Sequence, residues 1–173
     1  MNINGFFIVV FIGLTMIFTL FKPLNLKTQD FAETPSLDIK TFTLYELDRV
    51  GITTLMHGES ALRYDDRYVV EKIDYTDNAK KYRTTMLAEN GIYKDNIVNL
   101  SGNIIYNRED GLVFKTQKAD YDRIAKIVSS TTDYTAYMGK SSVKGSSLKY
   151  NAQEKKLEST RVQIVYQLKE EKL

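Results

Sequence analysis

The sequence has no cysteine, no tryptophan, a single histidine and two prolines among its 173 residues. Without cysteine there are no disulfides, no thiolate metal sites and no thiol nucleophile, while the redox compartment stays open, because a cysteine-free chain suits cytosol and periplasm alike. One imidazole, His57 in LMHGES, cannot build a multi-histidine metal centre and reads as an exposed turn residue. No phosphate-binding glycine loop and no Gly-x-Ser-x-Gly elbow is present. The carboxylates that stand close in sequence, Asp65 with Asp66 and Asp120 with Asp122, neighbour Arg67 and Arg123 at turn positions and read as solvated turn residues. A membrane-anchored glycan hydrolase would need two carboxylates facing across a groove, and nothing in the sequence points to such a pair. The formal net charge of +2 is too small for a nucleic-acid surface. No enzyme, metal or cofactor is expected.

Charge is also absent from one whole segment. All 24 Lys+Arg and all 22 Asp+Glu lie after Phe21. Residues 6–21 read FFIVVFIGLTMIFTLF, in which the only polar side chains are the hydroxyls of Thr15 and Thr19. At 1.5 Å per residue this run covers about 24 Å, and flanking residues out to Ile3 and Leu26 complete a span of a hydrocarbon core roughly 30 Å thick. The start MNIN lacks a basic region, and no small-x-small cleavage site follows, so the segment reads as an uncleaved membrane anchor over 1–26, with Phe6, Val10, Leu14, Phe18 and Phe21 as its anchor residues. Lys22 and Lys27 follow the run, but a large domain translocates largely regardless of its charge. Residues 27–36, with Pro35, form a linker, and 169–173 a charged tail.

No proline follows Pro35, which suits continuous sheet, where proline would remove a ladder donor. What fills the rest is tyrosine, twelve times after position 44 against one phenylalanine. Tyr64, Tyr93, Tyr121 and Tyr150 recur at steps of 29, 28 and 29, and Tyr75, Tyr106, Tyr137 and Tyr166 at 31, 31 and 29. A period near 28 that divides into two halves is one strand up and one strand down per repeat. Leu100, Ile104 and Tyr106 alternate with polar residues, as do Leu112, Phe114 and Thr116; Ala119 and Tyr121 fall on the opposite parity, which predicts a bulge near Gln117. Turns are expected at Asp65-Asp66, Asp77-Asn78, Asn90-Gly91, Asp110-Gly111, Asn151 and across 139–145. The predicted architecture is an all-β antiparallel meander over 37–168, rolled or folded so that one face is apolar. A tyrosine-rich face has two readings: a packed core with hydroxyls at the rim, or a slot for an amphipathic ligand.

Several motifs carry a resemblance. The apolar N-terminal segment, Leu100-Ser-Gly-Asn-Ile104, Asp110-Gly111-Leu-Val-Phe-Lys-Thr, Ala119-Asp-Tyr-Asp and Val143-Lys-Gly-Ser-Ser-Leu-Lys-Tyr-Asn together resemble the LptC family of lipopolysaccharide export. The resemblance implies a twisted, partly open antiparallel β-jellyroll, related to the bridge protein LptA, behind one inner-membrane helix with the domain in the periplasm. It implies no catalysis. It further implies that the domain takes lipopolysaccharide from an inner-membrane ABC transporter into an apolar groove and passes it to the bridge protein. The residues expected to line that groove are Leu100, Ile104, Tyr106, Leu112, Phe114, Ala119 and Tyr121. Partner-docking edges are expected at the first strand, with Leu37, Ile39, Phe42 and Leu44, and at the last, over 161–168, with Val162, Ile164 and Tyr166. The chain departs from the family in having no basic residue before its anchor. The rival expectation is a membrane-tethered β-repeat scaffold with a closed core and parallel rungs.

Overall fold

In the computed structural model the described residues are 34–49, 51–79 and 81–167, with Phe11 and Met16, which are helical and exposed. The chain divides into two units, Met1–Phe31 and Ala32–Leu173. The anchor residues Phe6, Val10, Leu14, Phe18 and Phe21 lie outside the described residues, and among the described residues no helix is long and apolar enough to cross a membrane.

The second unit is one open, twisted antiparallel sheet. Six long strands come first: β1 (Leu37–Leu47), β2 (Ile52–Arg63), β3 (Tyr68–Asp77), β4 (Thr84–Lys94), β5 (Ile97–Arg108) and β6 (Leu112–Asp122). Each pairs with the next, as a meander requires. The remaining chain runs as three strands, each interrupted once: β7 (Ile127–Ser130) with β8 (Tyr134–Met138), β9 (Ser141–Gly145) with β10 (Ser147–Asn151), and β11 (Lys156–Thr160) with β12 (Gln163–Val165). The two halves of β6 pair separately, Leu112 to Thr116 with β8 and Asp120 to Asp122 with β7. Every pairing among the described residues is antiparallel, which is the meander and not the parallel rungs of a solenoid.

The predicted parity change at Gln117 is one point on a line that crosses the sheet. On β1 to β4 and on β6, the inward positions on either side of this line are Phe42 and Ile39, Gly58 and Ala61, Ile73 and Val70, Ala88 and Gly91, and Thr116 and Ala119. Each pair is three residues apart, where an unbroken strand returns to the same face after two. On β5 the inward pair is Ile104 and Leu100, and the register shifts against both neighbours because Gly102-Asn103 inserts an extra residue. Left-handed backbone marks the line at Thr41 on β1 (φ 49°), Lys72 on β3 (φ 54°), Asn103 on β5 (φ 45°) and Arg161 between β11 and β12 (φ 52°). The first three are spaced by 31, the step of the second tyrosine series. Such a conformation costs on the order of 1–2 kcal/mol for a side chain with a Cβ, and polar contacts on the outer face help to hold it. Asn103 Nδ2 donates to Glu89 Oε1 at 2.6 Å, and the Asn103 backbone N–H donates to Gln117 Oε1 at 3.2 Å. Because the flip occurs in every strand, apolar side chains on both sides of the line share one face and bend the sheet along it.

The Leu-Ser-Gly-Asn-Ile motif is therefore the crease of β5. Gly102 sits at φ 81°, and a Cβ there would meet the Glu89 carboxylate and Cβ at under 3 Å. Gly102→Ala is expected to lower the unfolding free energy by about 1–2 kcal/mol. Gly139→Ala, at a left-handed turn with open space around it, is expected to cost less; urea unfolding followed by circular dichroism compares the two.

Three turn assignments need correction. Asn90-Gly91 is not a hairpin turn but lies inside β4, because Gly91 is the hole that receives Ile73 Cδ1, 2.5 Å from where a Cβ would stand. Of the 139–145 stretch only Gly139-Lys140 turns, and the rest is β9. His57 is exposed but stands within β2, where its Nδ1 is 2.7 Å from Thr43 Oγ1 on β1. The last strand is also shorter than the 161–168 expected: Arg161 is left-handed and only Gln163–Val165 pairs.

Candidate functional site

The inner face is organised in rows that run across the strands. The floor beside the crease holds Phe42 and Gly58, Ile73 and Ala88, then Ile104, Thr116, Tyr134 and Gly145 as successive cross-strand neighbours. Large side chains on odd-numbered long strands alternate with small ones on even strands, so that each large group fills the space a missing Cβ leaves. A Cβ on Gly58 would strike the Phe42 ring, and one on Gly145 would stand 2.7 Å from Tyr134 Cε1. Tyr134 is buried and reaches across the crease, its hydroxyl 2.8 Å from Ser159 Oγ. Thr116, Ser130 and Thr132 satisfy one another where the long strand breaks between β7 and β8, with hydroxyl oxygens 2.9–3.3 Å apart.

One row further from the crease, an uninterrupted apolar track crosses the whole sheet. Leu44, Met56, Tyr75, Met86, Tyr106, Phe114, Ala136, Val143 and Ile164 are paired in that order from β1 to β12. At roughly 4.8 Å per strand this is about 38 Å of continuous apolar surface. Its two ends lie on free edges, where Leu44 is 53% and Ile164 63% exposed, while the seven between are half-buried. On the other side of the crease run two more rows. One is Ile39, Ala61, Val70, Gly91, Leu100 and Ala119, and the outer one is Leu37, Arg63, Tyr68, Tyr93, Val98, Tyr121, Val128, Tyr150 and Leu157. Rows on both sides touch: Val70, Leu100 and Ala119 pack with Ile73, Ala88, Ile104, Met56, Tyr75 and Met86 in one cluster.

Few of these groups are removed from water. The described apolar side chains that are buried are only Ile73, Ala88, Ile104, Ala119 and Tyr134, whereas twenty large apolar residues among the described residues of the second unit are exposed. A domain of this size normally closes its core, and isolated exposed apolar residues are ordinary but contiguous rows are not.

The seven residues singled out from the sequence all lie on β5 and β6 and form one slice across this face. Tyr106 and Phe114 are cross-strand partners in the long track, Leu100 and Ala119 are partners beyond the crease, and Tyr121 is in the outer row opposite Val98. Ile104 is buried in the floor and Ala119 in the row across the crease from it, and Leu112 stands at the opposite rim, paired with Met138. Of the edge residues, Leu37, Ile39 and Leu44 are exposed on β1, while Phe42 turns into the floor against Gly58. Val162, Ile164 and Tyr166 are exposed, Ile164 on β12 and the other two flanking it. Sequence reasoning missed Met56, Met86, Ala136, Val143 and Tyr134; methionine and alanine carry no strand signal, and only register brings them into line.

Charges are confined to the rims and the outer face. The Lys94 ammonium beside Asp66 holds that carboxyl below the usual aspartate range, and the paired Arg108 guanidinium does the same for Asp110 at distances of 2.8 Å. Among the described residues no cluster of His, Asp and Glu is arranged to hold a metal ion.

A creased antiparallel sheet with an open apolar interior agrees with the family resemblance, and a direct comparison decides it. The family model LptC, described as lipopolysaccharide-assembly, LptC-related, matches residues 7–167. The chain belongs to the LptC family. No curated protein matches it individually. LptC-family membership gives the chain a role in the lipopolysaccharide export machinery as a non-catalytic component, associated with the inner membrane and the periplasm. The matched region covers the apolar N-terminal run from its second phenylalanine and every strand of the sheet.

Proposed function

We propose that this LptC-family chain is a conduit: its creased inner face receives the acyl chains of lipopolysaccharide from an inner-membrane ABC transporter and passes them to a periplasmic bridge protein of the LptA kind. The observation that carries the reading is the track from Leu44 to Ile164, apolar at every strand and ending on two free edges. Acyl chains laid along it are stabilised by about 0.8 kcal/mol for each CH₂ removed from water. Ile104, in the floor, and Ala119, across the crease from it, are buried; Leu100, Tyr106, Phe114 and Tyr121 stand as the lining above them, with Leu112 at the rim. Tyrosine suits such a lining, offering its ring to the chain and its hydroxyl to the mouth.

The same geometry supports the docking roles. β1 and the last strand present unpaired backbone groups with Leu37, Ile39 and Leu44 at one edge and Val162, Ile164 and Tyr166 at the other. A strand added to either edge continues the sheet and extends the track onto the neighbour. The first edge is assigned to the transporter and the last to the bridge, and the N-terminal segment 1–26 tethers the domain as a single-pass anchor.

Photocrosslinking in cells tests the conduit. A crosslinker at Tyr106 or Phe114 is expected to give an ATP-dependent adduct with lipopolysaccharide, and one at Lys115, exposed on the opposite face of β6, none. A folded, anchored protein without adducts at either inner position returns the tyrosines to an ordinary core.

A further inference from the structure

The outer inner-face row is interrupted by one cation. Arg63 stands between Leu37 and Tyr68 in a row otherwise made of Leu, Val and Tyr. Its guanidinium carbon lies 5.6 Å from the Tyr68 ring centroid, and Tyr68 and Tyr93 are neighbours at 6.2 Å. On the far side of that pair, the Arg123 guanidinium lies 5.6 Å from the Tyr93 centroid and donates to its hydroxyl at 3.4 Å. Two arginines thus bracket two tyrosines along the lip.

What separates these arginines from the other cations nearby is their lack of a counter-ion. Arg67 and Lys94 share Asp66, at 2.9 and 2.6 Å, and Arg108 is held by Asp110. Among the described residues neither Arg63 nor Arg123 has an ion-pair partner. The Asp122 carboxylate, next to Arg123 in sequence, accepts from the backbone N–H groups of Ile124 and Ala125 at 2.8 Å each. A cation–π contact holds a guanidinium beside a ring without neutralising it and leaves most of its N–H donors available. Such a cation, set beside rows of apolar side chains, is complementary to an anion carried by an amphipathic molecule. The fork geometry of both side chains matches the paired oxygens of a phosphate.

We propose that Arg63 and Arg123 form a clamp for phosphate groups on the headgroup of the lipid whose acyl chains occupy the inner face. This rests on the conduit reading above and adds to it the group that is recognised. The clamp fixes the headgroup at the lip lined by the turns after β2, β4 and β6, while the chains lie across the crease. Arg67 and Lys94 already direct donors to the one Asp66 carboxylate they share and contribute less.

The test compares full-length protein with Arg63→Gln, Arg123→Gln and the double variant, in detergent, for binding of lipopolysaccharide before and after its phosphates are removed enzymatically. Wild-type protein is expected to bind the phosphorylated form about tenfold more tightly. Each single variant is expected to lose part of that preference and the double variant nearly all of it, with binding of the dephosphorylated form unchanged. Lys115→Gln with Lys118→Gln removes the same charge from exposed outer positions and is expected to leave the preference intact; an equal loss there reduces the effect to net charge and overturns the clamp. Two further arms separate the sources of phosphate. Saturable binding of inorganic phosphate alone, lost in the double variant, would make this a soluble-anion site; binding to phosphatidylglycerol vesicles, lost in the same variant, would make it a membrane-surface patch. Either result overturns a headgroup site. Wild-type protein that binds both forms equally overturns the clamp and leaves the conduit standing, whereas wild-type protein that binds neither overturns the conduit itself.

Discussion

Ile104→Ala is expected to lower the unfolding free energy by about 2–4 kcal/mol, the range for deleting a buried isoleucine beyond its Cβ without full collapse of the cavity. The effect is large here because the buried core is small. Ile104 is 3% exposed and is one of only five buried apolar side chains among the described residues. Against a typical total of roughly 5–15 kcal/mol, one such loss removes a substantial share of the stability. It should also act across the crease, since Ile104 belongs to the cluster that joins Met86 and Tyr75 on one side to Leu100 and Ala119 on the other. Urea unfolding measures it as a fall in midpoint; an unchanged slope would mean that the amount of surface exposed on unfolding is the same. Leu44→Ala, in the long track but half exposed at the β1 edge, is the comparison and is expected to cost well under half as much. Equal losses at both positions would mean that the crease is not where the stability resides.

Ala136→Asp is expected to abolish transport while leaving a folded domain. Ala136 sits between Phe114 and Val143 in the track and is half-buried, and aspartate adds only a short carboxylate to its side chain. A carboxylate there must either shed water beneath an acyl chain, which costs several kcal/mol, or keep its water and interrupt the track. Either way the adduct at Tyr106 or Phe114 should fall at least tenfold, and cells that depend on this copy should fail to grow. Lys144→Asp is the control: it introduces the same group one residue from Val143, on the opposite, exposed side of β9. If Ala136→Asp supports normal growth with undiminished adducts, the track does not carry the lipid.

How much of this was legible in the sequence depends on what kind of signal each feature leaves. The hairpin period is written in the tyrosines, because turns of similar length and strands of similar length return the chain to the same edge after each repeat. Tyr93, Tyr121 and Tyr150 accordingly lie in the outer row, and Tyr75 and Tyr106 in the long track. β1, Leu37–Leu47, spans the residues expected for the first strand because it follows a proline and has no competing turn residue. The crease was visible only at Gln117, where large apolar groups stand on both sides of the change of parity. On β2 and β4 the same change is hidden, since the inward residues there are Gly58, Ala61, Ala88 and Gly91, which carry little hydrophobic signal. Thr41 and Lys72 gave no warning either, because a left-handed threonine or lysine is held by its neighbours and not by its own preference.

The sequence alone determined the class of molecule: an apolar uncharged N-terminal run, then a proline-free tyrosine-rich antiparallel meander without catalytic groups, carrying motifs of the LptC family. Those are local properties, set by composition, parity and turn chemistry, and a chain reports them directly. Tertiary structure decided where the meander bends, which strands break in two, that Asn90-Gly91 is the socket for Ile73, and that two arginines far apart in sequence flank one pair of tyrosines. Each depends on register between strands, a relation between residues fourteen to sixty positions apart, and no side chain encodes its cross-strand partner.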